Sequence, residues 1–233
     1  MRESDGTTAT PDARRRLRGH LASLLAPLAP APAVARVAPQ FYTLGLGRTA
    51  GPRPPQPLAT VHHDETAPDA TQLARARAAI DRIVAGQLAD PADDHDVAHG
   101  VAQLRAAGPA PWVLLVDDAT LDDAGRLALR TTARAAHPTA TLVVHGRAAA
   151  WPDLPHVGAH PSPLALAAAV AHVYVGAAQL GFEALLVGTP VTCAGRPFYA
   201  GAGLTQDLDH PAPSPRSLAH VFAATYLVGA RYA

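Results

Sequence analysis

The sequence contains no lysine; all 19 of its basic residues are arginine. That excludes a Lys amine nucleophile or Schiff base from this chain. It leaves only guanidinium groups, which clamp phosphate or carboxylate and do not deprotonate. There is a single cysteine, Cys193, so no internal disulfide and no cysteine-built zinc cluster can form, and a reducing compartment fits. Aromatic residues are scarce, 5% against 48% for apolar residues as a whole, so Ala, Leu and Val must fill the core. The 19 basic residues are balanced by 19 acidic ones. A nucleic-acid footprint needs a basic excess, and no nucleic-acid partner is expected. No uninterrupted apolar run reaches the ~18–20 residues of a membrane span. What remains is a chain of 233 residues, long enough for one large or two small domains with a real core.

The N-terminal "RRRLRGHLASLLAPLAPAPAVA" has a basic start, a short apolar stretch and small residues after it, loosely like a signal peptide. His20 and the prolines at 27, 30 and 32 interrupt the apolar run. The plainer expectation for residues 1–38 is a tail, an Arg-rich helix from Pro11 to Leu28, and a Pro–Ala linker. Residues 39–110 form a second unit. "QFYTLGLG", Gln40 to Gly47, predicts a strand running into a glycine turn, and "GPRPPQP" an extended loop. "TQLARARAAIDRIVAGQL" predicts a strong helix with Leu73, Ala76, Ile80, Ile83, Val84 and Leu88 at helical spacing, capped by Asp69 or Thr71. The acidic "ADPADDHD" reads as a solvated loop.

From Trp112 the pattern changes. "WVLLVDD" and "ATLVVHG" are continuous apolar runs, as buried parallel strands require. "DDAGRLALRTTARAAH" between them predicts a helix with an Asp N-cap. "LPHVGAHPSP" is short enough to leave a third strand open. "LALAAAVA" reads as helix, "HVYVG" as strand, "AQLGFEALLVG" as helix with Gly188 past its end, "PVTCAG" as strand, and "SPRSLAHVFAATYLVGARY" as a closing helix. This alternation predicts an α/β domain over residues 111–233, Rossmann-like, with a parallel sheet and ligands at the carboxyl ends of the strands.

Few residues in this pattern can carry chemistry. The chain has only three Glu, and Glu183 alone lies on an apolar helix, just after a strand-to-helix turn. Such a turn offers free N–H groups and a positive dipole end to a phosphate, and a carboxylate one turn on could reach a ribose hydroxyl. The alternative is a surface Glu on an amphipathic helix. His145 ends a strand before Gly146, where it could meet an anion or act as an acid near neutral pH, or serve the structure alone. Asp117, Asp118, Asp122 and Asp123 surround the end of "VLLV". They could supply a nucleophile or base, but helix capping is the plainer reading. His62 and His63 point oppositely if they lie on a strand, so they are not expected to share a metal. "GLGRTAG" has no helix after it and is not a dinucleotide fingerprint. No cofactor or metal is expected.

One segment is far more specific than the rest. "QLGFEALLVGTPVTCAGRPFYAGAGLTQD", Gln179 to Asp207, closely resembles the signature of bacterial capsule polysaccharide synthesis proteins of the KpsC type. Weaker likenesses extend outward through "QFYTLGLGR", "ARARAAIDRIVAGQL", "VLLVDDATLDDAG", "LVVHG" and "LAHVFAATYLVGARYA". The resemblance implies a β-Kdo transferase module of GT-B type, with two facing Rossmann-like domains and a CMP-Kdo donor on the second. It implies that Glu183 holds the donor ribose or base and that His145 meets the CMP phosphate or Kdo carboxylate. Gln179 would face the phosphate, Asp117 and Asp122 would stand near the sugar as the catalytic pair, and Tyr199 and Gly201 would shape the loop beside the donor. It also implies a lipid-linked glycan acceptor or partner capsule enzymes, and a cytoplasmic place, peripheral at the inner face of the membrane.

The departures from that pattern are as informative. The hydroxyl-bearing pair at the helix start is here Ala177 and Ala178, and the His-Pro is His145-Gly146. The signature Trp is Ala202, and the Arg of the early motif is Tyr42. Only 39 residues precede "QFYTLGLG", so a reduced first lobe is expected over 39–110. Losing several polar contacts, each worth roughly 1–3 kcal/mol, weakens donor binding by orders of magnitude. The expected protein is either a divergent glycosyltransferase with weakened or lost catalysis, or a non-catalytic GT-B-like module that binds a glycan, a nucleotide or a partner glycosyltransferase.

Overall fold

The computed structural model describes residues 67–85, 101–118, 120–146, 150–158, 163–208 and 214–228. The readings of the N-terminal helix, of "QFYTLGLG", of His62 and His63 and of the acidic loop fall outside the described residues. Helix α1, Ala70–Val84, starts where Asp69 accepts from the backbone N–H of Gln72, while the Gln72 side chain accepts from the Asp69 N–H. This reciprocal cap satisfies two donors that a helix start otherwise leaves free. Its inner face is Ala76, Ala79 and Ile83. Residues 101–107 are also helical, which the sequence pattern had not indicated.

The rest is a doubly wound sheet of six parallel strands: β1 (Trp112–Asp117), β2 (Thr141–Gly146), β3 (His156–Val157), β4 (His172–Val175), β5 (Val191–Cys193) and β6 (Gln206–Asp207), in the order β3-β2-β1-β4-β5-β6. The expected parallel α/β architecture is what forms. Helix α2 (Asp123–Ala136) joins β1 to β2, α3 (Pro163–Ala169) leads into β4, and α4 (Gln179–Leu186) joins β4 to β5. Gly188, at φ 78°, stands just past α4, where a left-handed residue ends a helix most cheaply. Helix α5 (Leu218–Phe222) runs into a π-helical turn, Ala223–Val228.

Strand alternation divides the core into two layers. Val113, Leu115, Leu142, Val144 and Tyr174 pack with Leu129 and Ala133 of α2 and with Trp151. Leu114, Val116, Val143, Val173, Val175 and Val191 pack against α1, α3, α4 and α5. Each fully buried Val or Leu contributes about 1.5–3 kcal/mol, so the bare aliphatic strands suffice to hold the sheet.

A group of rings lies at the opposite end of the sheet from the strand carboxyl ends. His172 stacks on Tyr174 with centroids 4.5 Å apart, His137 lies 5.1 Å from His172, and His172 Nε2 is 2.9 Å from Thr192 Oγ1. Burial, and then the neighbouring His137, bring the His172 pKa down to about 4. The unfolded chain takes up this proton near the ordinary value of about 6.5, so it binds more protons than the fold between those limits. Stability is therefore full above about pH 6.5 and falls as pH drops toward about 4. The ring is partly exposed, and screening reduces the loss to about 1–2 kcal/mol. Urea titrations between about pH 7.5 and about pH 4.5 should show this slope, and His172→Gln should flatten it; an identical slope in the variant would assign the acid lability elsewhere.

Candidate functional site at the carboxyl ends of the strands

The strand order reverses direction at β1, whose neighbours are β2 on one side and β4 on the other. In an open parallel sheet this switch point, outside the carboxyl ends of the two diverging strands, is where a crevice forms for a ligand. Asp117 ends β1 and Asp118 follows it, Gly176 and Ala177 follow β4, and Ala194 and Gly195 follow β5. The backbone packs tightly here. A Cβ on Gly195 would fall 2.7 Å from the Gly176 carbonyl oxygen, so only glycine lets the two turns meet.

The candidate residues separate into two groups. Asp117 shares the face of Val113 and Leu115, which is the α2 face. Its side chain is fully buried, and its Oδ1 accepts from Arg126 Nε of α2 at 2.7 Å. That hydrogen bond raises the Arg126 pKa further. Asp122 is the N-cap of α2 and accepts from the Gly125 N–H at 2.7 Å. Both carboxylates thus serve α2, as capping and pairing groups.

The second group surrounds α4. The Gln179 amide donates to the Tyr226 hydroxyl at 2.7 Å, which turns it onto the π-helical turn. The Tyr199 hydroxyl donates to the Ala178 carbonyl at 2.6 Å and so anchors the first turn of α4. Burial raises the Tyr199 phenol well above its usual range, and the nearby Asp118 and Glu183 carboxylates add to this; it is a neutral donor at any physiological pH. Glu183 is 2% exposed, buried on the α4 face that meets Tyr199. Gly201, at φ 73°, donates its N–H to Asp207 Oδ2 at 2.8 Å. The other oxygen of that carboxylate accepts from the Thr205 hydroxyl at 2.6 Å. Burial, with Asp207 adding to it, pushes the Cys193 thiol up, so it stays protonated and unreactive.

His145, at the end of β2, lies in register with Val116, next to the end of β1. Burial lowers its pKa, against a hydrogen bond to the Val157 backbone that raises it, so the ring is neutral at pH 7.

At the α4 start the structure shows what the two alanines imply. Ala178 is the N-cap, and it makes no side-chain capping bond to the first turn. The Ala177 N–H is instead taken by Asp118 Oδ2 at 2.8 Å. Asp118, one of the four aspartates around the end of β1, is the one that reaches the turn before α4, and Thr120 beside it is the residue that sequence reasoning missed. The Asp-x-Thr spacing, with both side-chain oxygens near one turn, was the available signal. Among the described residues no three His, Cys, Asp or Glu side chains come together as a metal site. No helix among them is long and apolar enough to cross a membrane.

Comparison with known proteins finds one family and several relatives to which part of this chain is similar. Residues 157–232 match the family described as capsule polysaccharide biosynthesis protein. An 80-residue stretch is 42% identical to the capsule polysaccharide modification protein LipA of Neisseria meningitidis serogroup A, covering 30% of this chain and 11% of that protein. A 68-residue stretch is 47% identical to the lipopolysaccharide-processing protein LpsZ of Rhizobium meliloti, covering 27% of this chain and 15% of that one. The chain therefore spans only a small fraction of these relatives. In three dimensions it is similar to Thermosulfurimonas dismutans KpsC, beta Kdo 2,4 transferase, with a TM-score of 0.51 and 21% identity over 67% of this chain and 56% of that one. That likeness concerns the fold. Residues 157–232, which run from the end of β3 through β4, α4, β5 and β6 to the closing helix, match the capsule polysaccharide biosynthesis family, and the parallel α/β fold is similar to that of KpsC.

Proposed function

We propose that this chain is a donor-lobe module of capsule polysaccharide glycosyltransferase type. Its crevice between the carboxyl ends of β1 and β4 addresses a nucleotide-linked acidic sugar such as CMP-Kdo, and its transfer activity is weakened or lost. One observation carries the reading: the family segment supplies β4, α4 and β5 beside the switch point, where doubly wound sheets take their ligands. The acceptor in this reading is a lipid-linked glycan, and the protein works at the inner face of the cytoplasmic membrane beside partner capsule enzymes.

A second reading, a non-catalytic module that binds a glycan, a nucleotide or a partner glycosyltransferase, rests on a separate observation. Most of the groups that would serve the donor are engaged internally: Asp117 by Arg126, Asp122 by the start of α2, Gln179 by Tyr226 and Gly201 by Asp207. A carboxylate already locked in an ion pair is a poor nucleophile or base, and an amide already bonded must break that bond to meet a phosphate.

Calorimetry with CMP and a transfer assay with CMP-Kdo separate the two. The expected result is weak CMP binding and no detectable Kdo transfer. Placing Ser at both Ala177 and Ala178 should strengthen CMP binding by about 1–2 kcal/mol if both new hydroxyls bond the ligand. Ser at 178 should also stabilise the fold by about 0.5–1 kcal/mol by capping α4. Micromolar binding and turnover by the unaltered chain would instead establish an active transferase.

A further inference from the structure

Asp118 is the first residue past β1, directly at the switch point, and its carboxylate is turned inward. Oδ2 accepts from the Ala177 N–H at 2.8 Å, while Oδ1 accepts from the Thr120 N–H at 2.9 Å and from the Thr120 hydroxyl. The loop that Asp118 opens lies directly on the turn between β4 and α4. A Cβ on Gly176 would come within 2.6 Å of Thr120 Oγ1 and 2.8 Å of both Asp118 Oδ1 and Leu121 Cγ. Leu121 is buried with the α2 layer and roots the loop there. The loop and the strand end are thus in contact, with no gap between them at Gly176.

These contacts have a consequence for an anionic ligand. Any phosphate oxygen that reached the Ala177 N–H would need the position Asp118 Oδ2 now fills. An oxygen arriving beside it would face a carboxylate at contact distance, where like charges repel. Thr120 holds the carboxylate in place through two donors, so the blocking group does not simply rotate away. We infer that Asp118, latched by Thr120, is an internal anion plug that closes the crevice between β1 and β4. The inference rests on the reading of that crevice as a donor site, and it adds a blocking carboxylate to the missing hydroxyls as a cause of weak binding. Opening requires the Asp118 carboxylate to leave the Ala177 N–H and Thr120 to move off Gly176, so a partner or substrate that draws these two side chains away would switch the site on.

The test is calorimetric titration of the whole chain with two probes, CMP and inorganic pyrophosphate, on Asp118→Ala, Asp118→Asn and Thr120→Ala. Asp118→Ala removes charge and acceptor together and should raise affinity for both probes at least about tenfold, the equivalent of one strong like-charge contact relieved. Asp118→Asn keeps the shape and loses the charge, and Thr120→Ala loosens the latch while keeping the charge; both should give smaller gains. Circular dichroism checks that each variant is folded, and if Asp118→Ala is not, Thr120→Ala decides by the same criterion. Gains for pyrophosphate without gains for CMP would keep the plug and overturn the nucleotide reading. No gain with either probe in a folded variant overturns the plug.

Discussion

Phe182→Ala is expected to destabilise the protein by about 3–5 kcal/mol, the usual range for deleting a buried aromatic ring. Phe182 is fully buried at the centre of a cluster that gathers Phe198, Tyr199, Phe222 and Tyr226, with ring centroids 4.9, 5.9, 6.3 and 5.7 Å away. The chain has 11 aromatic residues in all, four Phe, five Tyr and two Trp. Five of them meet here, so a core otherwise built from Ala, Leu and Val concentrates its large side chains at this one place. The cluster joins α4, the loop after β5, α5 and the π-helical turn, and nothing small can replace its centre without a cavity. Phe182→Leu, which keeps most of the volume, should lose less than about 1.5 kcal/mol. Urea unfolding of the three proteins measures the difference. A loss below about 1 kcal/mol in Phe182→Ala would mean the rings are loosely packed, since a cavity of this size ordinarily costs several times more. A domain is stable by about 5–15 kcal/mol in total, so the larger loss would also blur the α4 start and with it the crevice.

The sheet was legible because buried parallel strands need continuous apolar runs, and "WVLLV", "TLVV" and "HVYV" have no other place to go. The capped α1, the Asp122 N-cap and the glycine past α4 follow from local rules that tertiary packing did not override. Strand β6 was not legible: Gln206–Asp207 are two polar residues whose pairing with β5 is fixed by the loop around them and not by their own pattern. The π-helical turn leaves no mark either, since "AATYLV" satisfies an ordinary helix as well.

The site was less legible than the fold. Alternation from Val113 puts Asp117 on the α2 face, and four residues of strand sufficed to say so. The attention that two adjacent aspartates attract obscured which of them faces the crevice. What the sequence could not give is that Gln179 bonds Tyr226, 47 residues away, and that Tyr199 bonds Ala178. Both contacts depend on how the closing helix and the loop after β5 fold back over α4, which no local pattern encodes.

Gly181 tests how rigid that arrangement is. In an ordinary helix interior Gly→Ala stabilises by about 0.5–1 kcal/mol, because alanine has less backbone entropy to lose. Here a Cβ at 181 would overlap the Tyr199 hydroxyl and lie 2.8 Å from its Cζ and 3.1 Å from its Cε2. A surface tyrosine would swing aside. Tyr199 is fully buried between Phe182 and Phe198, and its hydroxyl is bonded to the Ala178 carbonyl. Moving it leaves a buried donor and acceptor unpaired, at about 1–3 kcal/mol, and overpacks the cluster, at about another 1–3 kcal/mol. The clash outweighs the helical gain, and Gly181→Ala should destabilise by about 2–4 kcal/mol net. Tyr199→Phe removes the oxygen that collides first, so Gly181→Ala should be less damaging in that background, with a coupling of about 1 kcal/mol or more in the double-mutant cycle. If Gly181→Ala instead stabilises as its helix propensity alone would have it, the Tyr199 ring is free to move.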